Sequence, residues 1–395
     1  MKSQFNYFMP TRILFGPGKL KKLATTPFLP GKKALIVTSS GPSVKKYGYL
    51  DRVIEYLKQN NVSSVTFDKI LPNPILDHVM EGAQAAKDNQ CDFVVGLGGG
   101  SSIDSAKSIA VMAKNPGNYW DYVYGGTGKG KPVTGGALPI VAITTTAGTG
   151  TEADPWTVIT NPQTNEKIGF GNDYTFPVLS IVDPELMVTV PPKFTAFQGM
   201  DAFFHSVEGY LATVSQPASD QYALEAVTLI TKYLPVAVAD GSNLEARTAL
   251  AWANTEAGMV ESLSSCISHH SLEHALSAYH PGLPHGAGLV LLSIAYFSFM
   301  AGKSPARFAN LAKAMGKNVI DLPQEQQPFA FIAALKKLIA AIGLQDLKLS
   351  DYGVKKEEAP LLARNAMSAM GGLFAVDPYK LSPEEVTGIF EACLE

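Results

Sequence analysis

Residues 92–107 read DFVVGLGGGSSIDSAK, and this stretch decides the fold class of the chain. Its first part, residues 92–97, has the apolar run of a buried strand. Three glycines and two serines follow, and helical spacing begins at once over residues 103–113. The stretch therefore predicts a strand, a tight glycine turn and a helix in direct succession.

The same alternation of strand and helix extends to both sides of this stretch. Helical periodicity is present over residues 45–60 and 76–89. Strand patterns occupy residues 33–37, 65–67, 138–144, 158–160 and 179–182. Repeated alternation of this kind predicts an α/β domain whose parallel sheet is covered by helices on both faces.

Beyond residue 191 the pattern changes, because helical periodicity dominates and β-branched residues are no longer enriched. The predicted helices of this half cover residues 195–213, 221–239, 244–263, 306–315 and 329–342. The sequence therefore predicts two domains, an α/β domain over residues 1–186 and an all-helical domain over residues 187–395.

The composition describes a compact globular protein, because 46% of the residues are hydrophobic and only 17% are charged. A formal net charge of −3 with scattered basic residues argues against nucleic acid or membrane partners and favours a small molecule. Three cysteines without CxxC spacing, and an N-terminus without the apolar core of a signal peptide, predict a cytoplasmic protein. A predicted strand at residues 12–15 favours pairing with a second copy, and hence a homodimer or larger homo-oligomer.

The glycine turn of residues 98–100 has the features of a phosphate-binding loop. Glycines between a strand and a helix let the backbone approach an anion at the helix N-terminus, where free amides and the helix dipole favour negative charge. A second loop rich in glycine and threonine follows the strand that ends at Thr144. Two such loops predict a nucleotide groove, although a purely structural turn is the alternative for the first. Asp104 and Lys107 either serve this groove or form a solvated helix face.

A second chemical signal is the segment ISHHSLEHALSAYHPGLPHGAGL, residues 267–289, which holds five of the seven histidines of the chain. His270 and His274 are four residues apart and share one face of a predicted helix over residues 265–279. Prolines and glycines then turn the chain so that His285 can return to the same point. Upstream, Asp201 and His205 repeat the four-residue spacing.

Imidazoles together with a carboxylate are ligands that zinc and iron accept, and such a shell leaves positions open for a substrate. The alternative for any single one of these histidines is a hydrogen-bonded residue of the core. The density of the cluster favours a catalytic metal site.

Six ordered motifs resemble the iron-containing alcohol dehydrogenases (group III). The motifs are LPNP at 71–74, GGGSSIDSAK at 98–107, TTAGTGTE at 145–152, DP at 183–184, GMDAFFHSVEGY at 199–210 and the histidine cluster at 270–286. The resemblance covers nearly the whole chain. It implies a dinucleotide-binding α/β domain, a helical domain and an active site in the cleft between them.

The resemblance also implies roles for individual residues. It implies that the metal, ferrous iron or alternatively zinc, is held by Asp201, His205, His270 and His285. It implies that the coenzyme contacts Asn73, Gly98, Gly99, Ser101, Asp104, Thr144 and Thr145. His274 would face the nicotinamide and the substrate, and it is the predicted catalytic residue, exchanging a proton with solvent.

One departure from the family pattern concerns the last histidine. Ten residues separate His274 from His285, one more than the commonest family pattern has, so His280 is a rival ligand. The context PHG around His285 matches the family and favours that residue.

The parts predict a metal-dependent alcohol dehydrogenase or aldehyde reductase that transfers a hydride between a nicotinamide coenzyme and a small alcohol or aldehyde. One alternative is a cyclising lyase that depends on NAD and metal and resembles dehydroquinate synthase. Its phosphorylated substrate would need several basic residues near the metal, and residues 195–290 contain only Lys232 and Arg247. A non-enzymatic metal-binding assembly protein is the other alternative, and it leaves the two loops unexplained.

The turn after the first predicted strand of the α/β domain bears on the choice of coenzyme. It contains Ser39, Ser40 and Ser43, followed by Lys45 and Lys46, and it has no acid. NAD-using family members typically carry an aspartate at the position of Ser39, where it accepts from the ribose 2′-hydroxyl and repels a 2′-phosphate. Serines and lysines can instead donate to a phosphate. The turn therefore predicts a preference for NADP(H) over NAD(H).

Overall fold

The computed structural model describes residues 4–394 and divides them into two compact units. We call residues 9–190 the α/β unit, and residues 191–394 together with 4–8 the helical unit. The division follows Val190, four residues after the predicted boundary, and the segment 4–8 belongs to the helical unit rather than to the α/β unit.

The α/β unit contains eight strands and four α-helices among its described residues. In chain order they are β1 (Arg12–Phe15), β2 (Lys33–Ser39), α1 (Ser43–Lys46), α2 (Tyr49–Gln59), β3 (Ser63–Ile70), α3 (Leu76–Asp88), β4 (Phe93–Gly98), α4 (Gly100–Lys114), β5 (Ile140–Thr144), β6 (Thr157–Asn161), β7 (Glu166–Phe170) and β8 (Leu179–Val182). Six strands form a parallel sheet in the order β1-β8-β5-β4-β2-β3, and β6 and β7 form an antiparallel hairpin.

Both faces of the parallel sheet are covered, as the sequence predicts. On one face Ile36 and Val95 pack with Leu23 and with Val53 of α2 in a buried cluster. On the other face Gly96 lets α4 lie directly on the strand, because a Cβ there would be 2.8 Å from the Cα of Ile103. Full burial of each large apolar side chain contributes roughly 1.5–3 kcal/mol, so the central strands anchor the unit.

Two local features of the α/β unit differ from the sequence prediction. The helix predicted over residues 45–60 is divided into α1 and α2 at Gly48, whose φ of 66° is the left-handed conformation that glycine adopts without strain. The β6–β7 hairpin was only half predicted, because the pattern identified its first strand and not its partner β7.

The helical unit contains ten α-helices among its described residues. They are α5 (Pro192–Leu211), α6 (Pro217–Ala239), α7 (Leu244–Leu263), α8 (Ser268–Tyr279), α9 (His285–Ala301), α10 (Pro305–Ala314), α11 (Phe329–Ala341), α12 (Ala359–Ala369), α13 (Gly371–Phe374) and α14 (Pro383–Cys393). Helices α5, α6 and α7 pack on one another, and α8 packs on α9 and α12. Stacked and edge-on rings of Phe203, Phe297 and Phe331 form part of the core.

One helix of the described residues, α6, is long and apolar enough to cross a membrane by length and composition alone. The core helices of soluble proteins pass the same test, so the observation is weak. In this structure α6 packs along both α5 and α7.

Candidate metal centre and coenzyme loops

Three helices of the helical unit supply the predicted metal ligands. Asp201 and His205 lie one turn apart on α5, and His270 lies in the first turn of α8. His285 is the first residue of α9, after the turn that Pro281 begins. The i, i+4 spacing puts the two α5 side chains on one face, where the packed helices α8 and α9 bring the two histidines.

The four predicted ligands converge on one point. The distances from Asp201 Oδ1 to Nε2 of His205, His270 and His285 are 3.7, 3.6 and 3.5 Å. With ligand bonds of about 2.1 Å, two donors of a tetrahedral shell lie about 3.4 Å apart. The three distances from Asp201 are therefore close to the spacing that an ion shared by Asp201 and each imidazole requires, and the donor atoms of Asp201, His270 and His285 lie within 4.8 Å of one another.

Two of these donor atoms are buried without a partner. Within the described part of the chain, Asp201 Oδ1 and His270 Nε2 have no hydrogen-bond partner. A buried polar atom left unsatisfied costs about 1–3 kcal/mol, so proteins rarely keep one without a reason. A bound cation supplies the missing partner for both atoms, and the residues present therefore fit the metal that the sequence implies.

Glu208 holds His270 from the side away from this point. His270 Nδ1 donates to Glu208 Oε1 over 2.6 Å, and His269 Nδ1 donates to the same oxygen over 2.7 Å. The backbone amide of Ile267 donates to Glu208 Oε2 over 3.0 Å. Burial opposes ionisation of Glu208, but His270 and His269 outweigh it and hold the pKa of this carboxyl well below its usual range. An acceptor at Nδ1 keeps the proton there and leaves the Nε2 lone pair for a metal.

Glu273 plays the corresponding role for His285. Its fully buried carboxylate accepts from His285 Nδ1 and from the hydroxyl of Ser277. Gly288 makes room for it, because a Cβ there would be 2.8 Å from Glu273 Cγ. Neither Glu208 nor Glu273 was predicted from the sequence to take part in the site. The available signal was their spacing, three residues after His205 and three after His270.

The structure separates His280 from His285. His280 follows the last residue of α8, and its Nε2 lies 3.3 Å from Glu358 Oε1. The turn that follows it closes with a hydrogen bond from the Leu283 amide to the His280 carbonyl. The extra residue of this chain is thus absorbed before His285, whose Nε2 is the one beside Asp201.

His274 lies next to the centre with a different environment. Its ring centroid is 5.3 Å from that of His285 and 6.3 Å from that of His270. Its Nδ1 lies 2.8 Å from Met370 Sδ. The predicted catalytic histidine is therefore a neighbour of the four converging side chains.

In the α/β unit, the two predicted coenzyme loops lie at the carboxyl ends of the adjacent strands β4 and β5. Gly98 ends β4 with a φ of 145°, a conformation that favours glycine, and α4 begins two residues later. A Cβ at Gly99 would lie 3.1 Å from Thr146 Oγ1, so glycine permits the second loop to approach. The Thr145 amide donates to the Gly98 carbonyl over 2.9 Å, and Thr144 Oγ1 donates to the Thr146 carbonyl over 2.8 Å.

Two further predicted coenzyme residues lie beside the start of α4. Ser101 donates its hydroxyl to the carbonyl of Pro72, which connects the first turn of α4 with the loop after β3. Asn73, half-buried, is the next residue of that loop. The predicted residues of this group thus come from loops at the ends of three strands.

Asp104 and Lys107 do not form a solvated helix face, and that alternative is wrong. Asp104 accepts from the Thr151 hydroxyl over 2.7 Å and from the Val158 amide over 2.9 Å. Burial raises the pKa of Asp104 to about 6. The fully buried Lys107 donates to Thr151 over 2.6 Å and to the Asp154 carboxylate over 3.1 Å. Both side chains therefore hold the loop after β5 against α4.

The serine turn follows β2, and its charges are partly paired. Ser40 donates its amide to the Ile70 carbonyl over 2.9 Å, while Ser39 is the last residue of β2 and Ser43 the first of α1. Lys45 pairs with Asp68, an exposed acid of β3 whose pKa this hydrogen bond lowers. The sequence found no acid in the turn, and the structure brings one beside it from the neighbouring strand.

The two basic residues that bear on the lyase alternative are engaged elsewhere in the helical unit. Arg247 donates to the Thr195 hydroxyl over 2.9 Å and to the Gly241 carbonyl over 2.9 Å. Lys232 lies over the ring of Tyr233 and donates to its hydroxyl. These contacts give no support to a phosphate site beside the metal centre.

Comparison with known proteins identifies the family. The profile of "Iron-containing alcohol dehydrogenase" matches residues 10–184, and that of "Fe-containing alcohol dehydrogenase family, C-terminal" matches residues 195–394. The chain is 36% identical to a 1,3-propanediol dehydrogenase of Klebsiella pneumoniae over 389 residues, 98% of each chain. It is also 36% identical to an NAD-dependent methanol dehydrogenase of Bacillus methanolicus over 364 residues, 91% of this chain and 93% of the relative.

A solved structure agrees with these matches. A crystal structure of an archaeal halo-thermophilic alcohol dehydrogenase from a Red Sea brine pool superposes with a TM-score of 0.94 at 36% identity, covering 100% of both chains. These relatives favour neither the lyase nor the assembly protein. The chain belongs to the iron-containing alcohol dehydrogenase family and is a nicotinamide-dependent oxidoreductase that acts on alcohols or aldehydes.

Proposed function

We propose that Asp201, His205, His270 and His285 hold one ferrous ion, and that a small aldehyde is reduced beside it by the nicotinamide coenzyme. The observation that carries this proposal is the unpartnered Asp201 Oδ1, with three imidazole nitrogens within 3.5 to 3.7 Å. Three neutral imidazoles and one carboxylate suit iron or zinc. When bound, the ion supplies Lewis acidity that polarises the oxygen of a carbonyl or hydroxyl group.

The protein's own residues preorganise the centre. Glu208 and Glu273 fix the ring orientation of His270 and His285, so that the Nε2 atoms need little reorganisation. Asp201, His205 and His270 are buried, which excludes water and strengthens electrostatic interactions at the reacting atoms. When an alcohol is oxidised, its hydroxyl proton must leave this buried centre. Because water is excluded, a titratable side chain next to the centre is required to carry the proton out.

His274 is the group that we assign to this proton transfer. Its Nδ1 lies against Met370 Sδ, so Nε2 is the atom at which the proton is exchanged. We expect His274→Ala to retain the metal and to lower kcat by about 100-fold, since a positioned acid or base contributes roughly 10²–10⁴-fold. Metal analysis and turnover are measured on the same preparation. A loss of metal as large as that of His270→Ala would show that His274 is a ligand instead.

For the coenzyme, the supporting features are the glycine loops of the α/β unit. The first amides of α4 and its helix dipole suit the pyrophosphate, with Gly98 and Gly99 allowing close approach and Ser101 adding a hydroxyl. Thr144, Thr145 and Asn73 are the other proposed contacts. Asp104, with both carboxylate oxygens accepting from the protein, acts by holding the loop of residues 145–158 in place.

We propose further that NADPH is preferred over NADH. Ser39, Ser40 and Ser43 offer hydroxyl donors for a 2′-phosphate, and Lys46 offers a charge that is not paired with Asp68. Lys45 contributes less than the sequence suggests, because Asp68 neutralises it. The methanol dehydrogenase of Bacillus methanolicus is NAD-dependent by its name. That name describes the relative, so the coenzyme preference of this chain has to be measured directly.

The matching experiment measures kcat/KM for NADPH and NADH with a panel of short aldehydes, on the wild type and on Ser39→Asp. A carboxylate at this position repels the 2′-phosphate, so the ratio should shift toward NADH by at least about tenfold, equivalent to roughly 1.4 kcal/mol. The exposed Ser350→Asp is the charge-matched control and should leave the ratio unchanged. Equal efficiency with both coenzymes, or preference for NADH, in the wild type contradicts the NADPH proposal. Failure to oxidise either coenzyme with any aldehyde contradicts the function itself.

A further inference from the structure

Cys266 lies at the metal centre, although the family resemblance gives it no role. It precedes α8 by two residues and is buried. Its Sγ and the donor nitrogens of His205 and His270 all lie within 4.8 Å of one another. His205 and His270 are two of the four residues that converge on Asp201, and their rings stack at 4.4 Å. The sulfur is therefore within 4.8 Å of the donor nitrogens of two of the proposed ligands.

Glu261, near the end of α7, orients this sulfur. Cys266 Sγ donates to Glu261 Oε1 over 3.3 Å, and the same oxygen lies 3.5 Å from His205 Nε2. Both Glu261 and Cys266 are buried. A buried thiol and carboxylate thus form a second donor set next to the imidazoles, on residues that the sequence analysis did not assign as ligands.

A second observation points to a ligand at this place. His270, which belongs to the group with Cys266, is 97% buried, and its Nε2 has no hydrogen-bond partner among the described residues. A tetrahedral ion bound to one sulfur at about 2.3 Å and one imidazole at about 2.05 Å would hold the two atoms about 3.6 Å apart. Because the atoms of the group lie within 4.8 Å of one another, the sulfur and the nitrogen need to approach by at most about 1.2 Å to reach that separation.

We propose that Cys266 is an additional ligand of the metal centre, which binds divalent ions such as zinc and cobalt through its thiolate together with His205 and His270. The inference rests on the proposed metal centre. Coordination forms a metal–sulfur bond and breaks the S–H bond, and Glu261 Oε1 is the base placed to accept the proton. The charge of the Cys266–Glu261 pair is unchanged by this transfer.

The consequence is a bias in metal selection. Thiolate is a preferred ligand of zinc, whereas imidazole and carboxylate ligands are sufficient for iron(II). Cys266→Ser should therefore weaken zinc binding by at least about tenfold, because substitutions next to metal ligands typically lower affinity 10–100-fold. The affinity for iron(II) should change by no more than about twofold. The wild type and Cys266→Ser are compared by competition with a chelator of known affinity.

The direct test is the absorption spectrum of the metal-free protein loaded with cobalt(II). The wild type should show a near-ultraviolet band from thiolate-to-cobalt charge transfer in addition to the visible bands of the ion. Cys266→Ser should lose the former and keep the latter. Cys393→Ser is the matched control, because Cys393 lies in the helical unit with its sulfur 3.9 Å from the Leu292 carbonyl, and it should behave as the wild type.

The wild-type spectrum alone can overturn the inference, whether or not the variant folds. Visible cobalt bands without the charge-transfer band show that the centre binds the ion without Cys266. A charge-transfer band that persists in Cys266→Ser also shows that Cys266 is not the ligand. If the wild type binds no cobalt, iron or zinc at all, the proposed metal centre fails, and this outcome is distinct from the other two.

Discussion

Asp201→Ala is expected to reduce metal affinity by at least about 100-fold and kcat/KM by about 1,000-fold. Substitution of a residue that only hydrogen-bonds to a metal ligand lowers metal affinity about 10–100-fold. Asp201 is itself a proposed ligand, with three imidazole nitrogens around its Oδ1, so its removal should lower the affinity further. The metal contributes several kcal/mol to transition-state stabilisation, and about 1.4 kcal/mol corresponds to tenfold in rate. His270→Ala should behave in the same way, because it also removes one of the four donors.

The measurement is metal content by elemental analysis together with steady-state kinetics, with circular dichroism to verify folding. Asp346→Ala provides a control for loss of an acid, since Asp346 is exposed in the helical unit. We expect this control to retain both metal and turnover. Wild-type turnover in a folded Asp201→Ala protein would remove the proposed centre.

Glu208→Ala should have the largest effect on stability, a decrease of about 3–5 kcal/mol in the free energy of unfolding of the helical unit. Glu208 is fully buried and accepts from two imidazoles and from the Ile267 amide. Truncation removes the acceptor of His269 Nδ1 and of His270 Nδ1 in a dry environment, while His269 Nε2 keeps its contact with the Leu289 carbonyl. Breaking a buried pair on one side costs about this much.

Urea unfolding of the metal-free proteins tests this prediction without any contribution from bound ion. Glu208→Gln is the conservative comparison, because its amide oxygen can still accept from both imidazoles, whereas its NH2 group cannot accept from the Ile267 amide. This variant should recover part of the loss. An unfolding midpoint of Glu208→Ala equal to that of the wild type would show that the network contributes nothing to stability.

Much of the fold follows from local sequence patterns. The strand β8 and the helix α7 have the predicted bounds, since each is a continuous periodic segment that begins and ends at turn residues. The hairpin partner β7 escaped prediction, because its pattern, EKIGF, begins with two charged residues that the structure buries. The burial of Lys107 was not predicted either, because lysine is rarely buried unless it is paired, and its partners come from a distant loop.

The residues of the candidate metal centre could also be predicted only in part. The spacing of Asp201 and His205, and the histidine cluster, are sequence patterns with a direct chemical meaning. The roles of Glu208, Glu273, Glu261 and Cys266 depend on which faces of α5, α7, α8 and α9 pack together, and periodicity within one helix does not contain that information. His285 was preferred over His280 from a motif, and the structure adds the physical reason, a turn that absorbs the extra residue.

We propose that one metal ion, held by Asp201, His205, His270 and His285, is required for reduction of an aldehyde by the nicotinamide coenzyme. The most direct test is an anaerobic titration of the metal-free protein with iron(II), in which oxidation of NADPH by a short aldehyde is followed at each addition. We expect no activity before iron is added, a linear rise with each addition, and a plateau at one iron per chain. Full activity of the metal-free protein, or no activity after one equivalent is bound, would contradict this proposal.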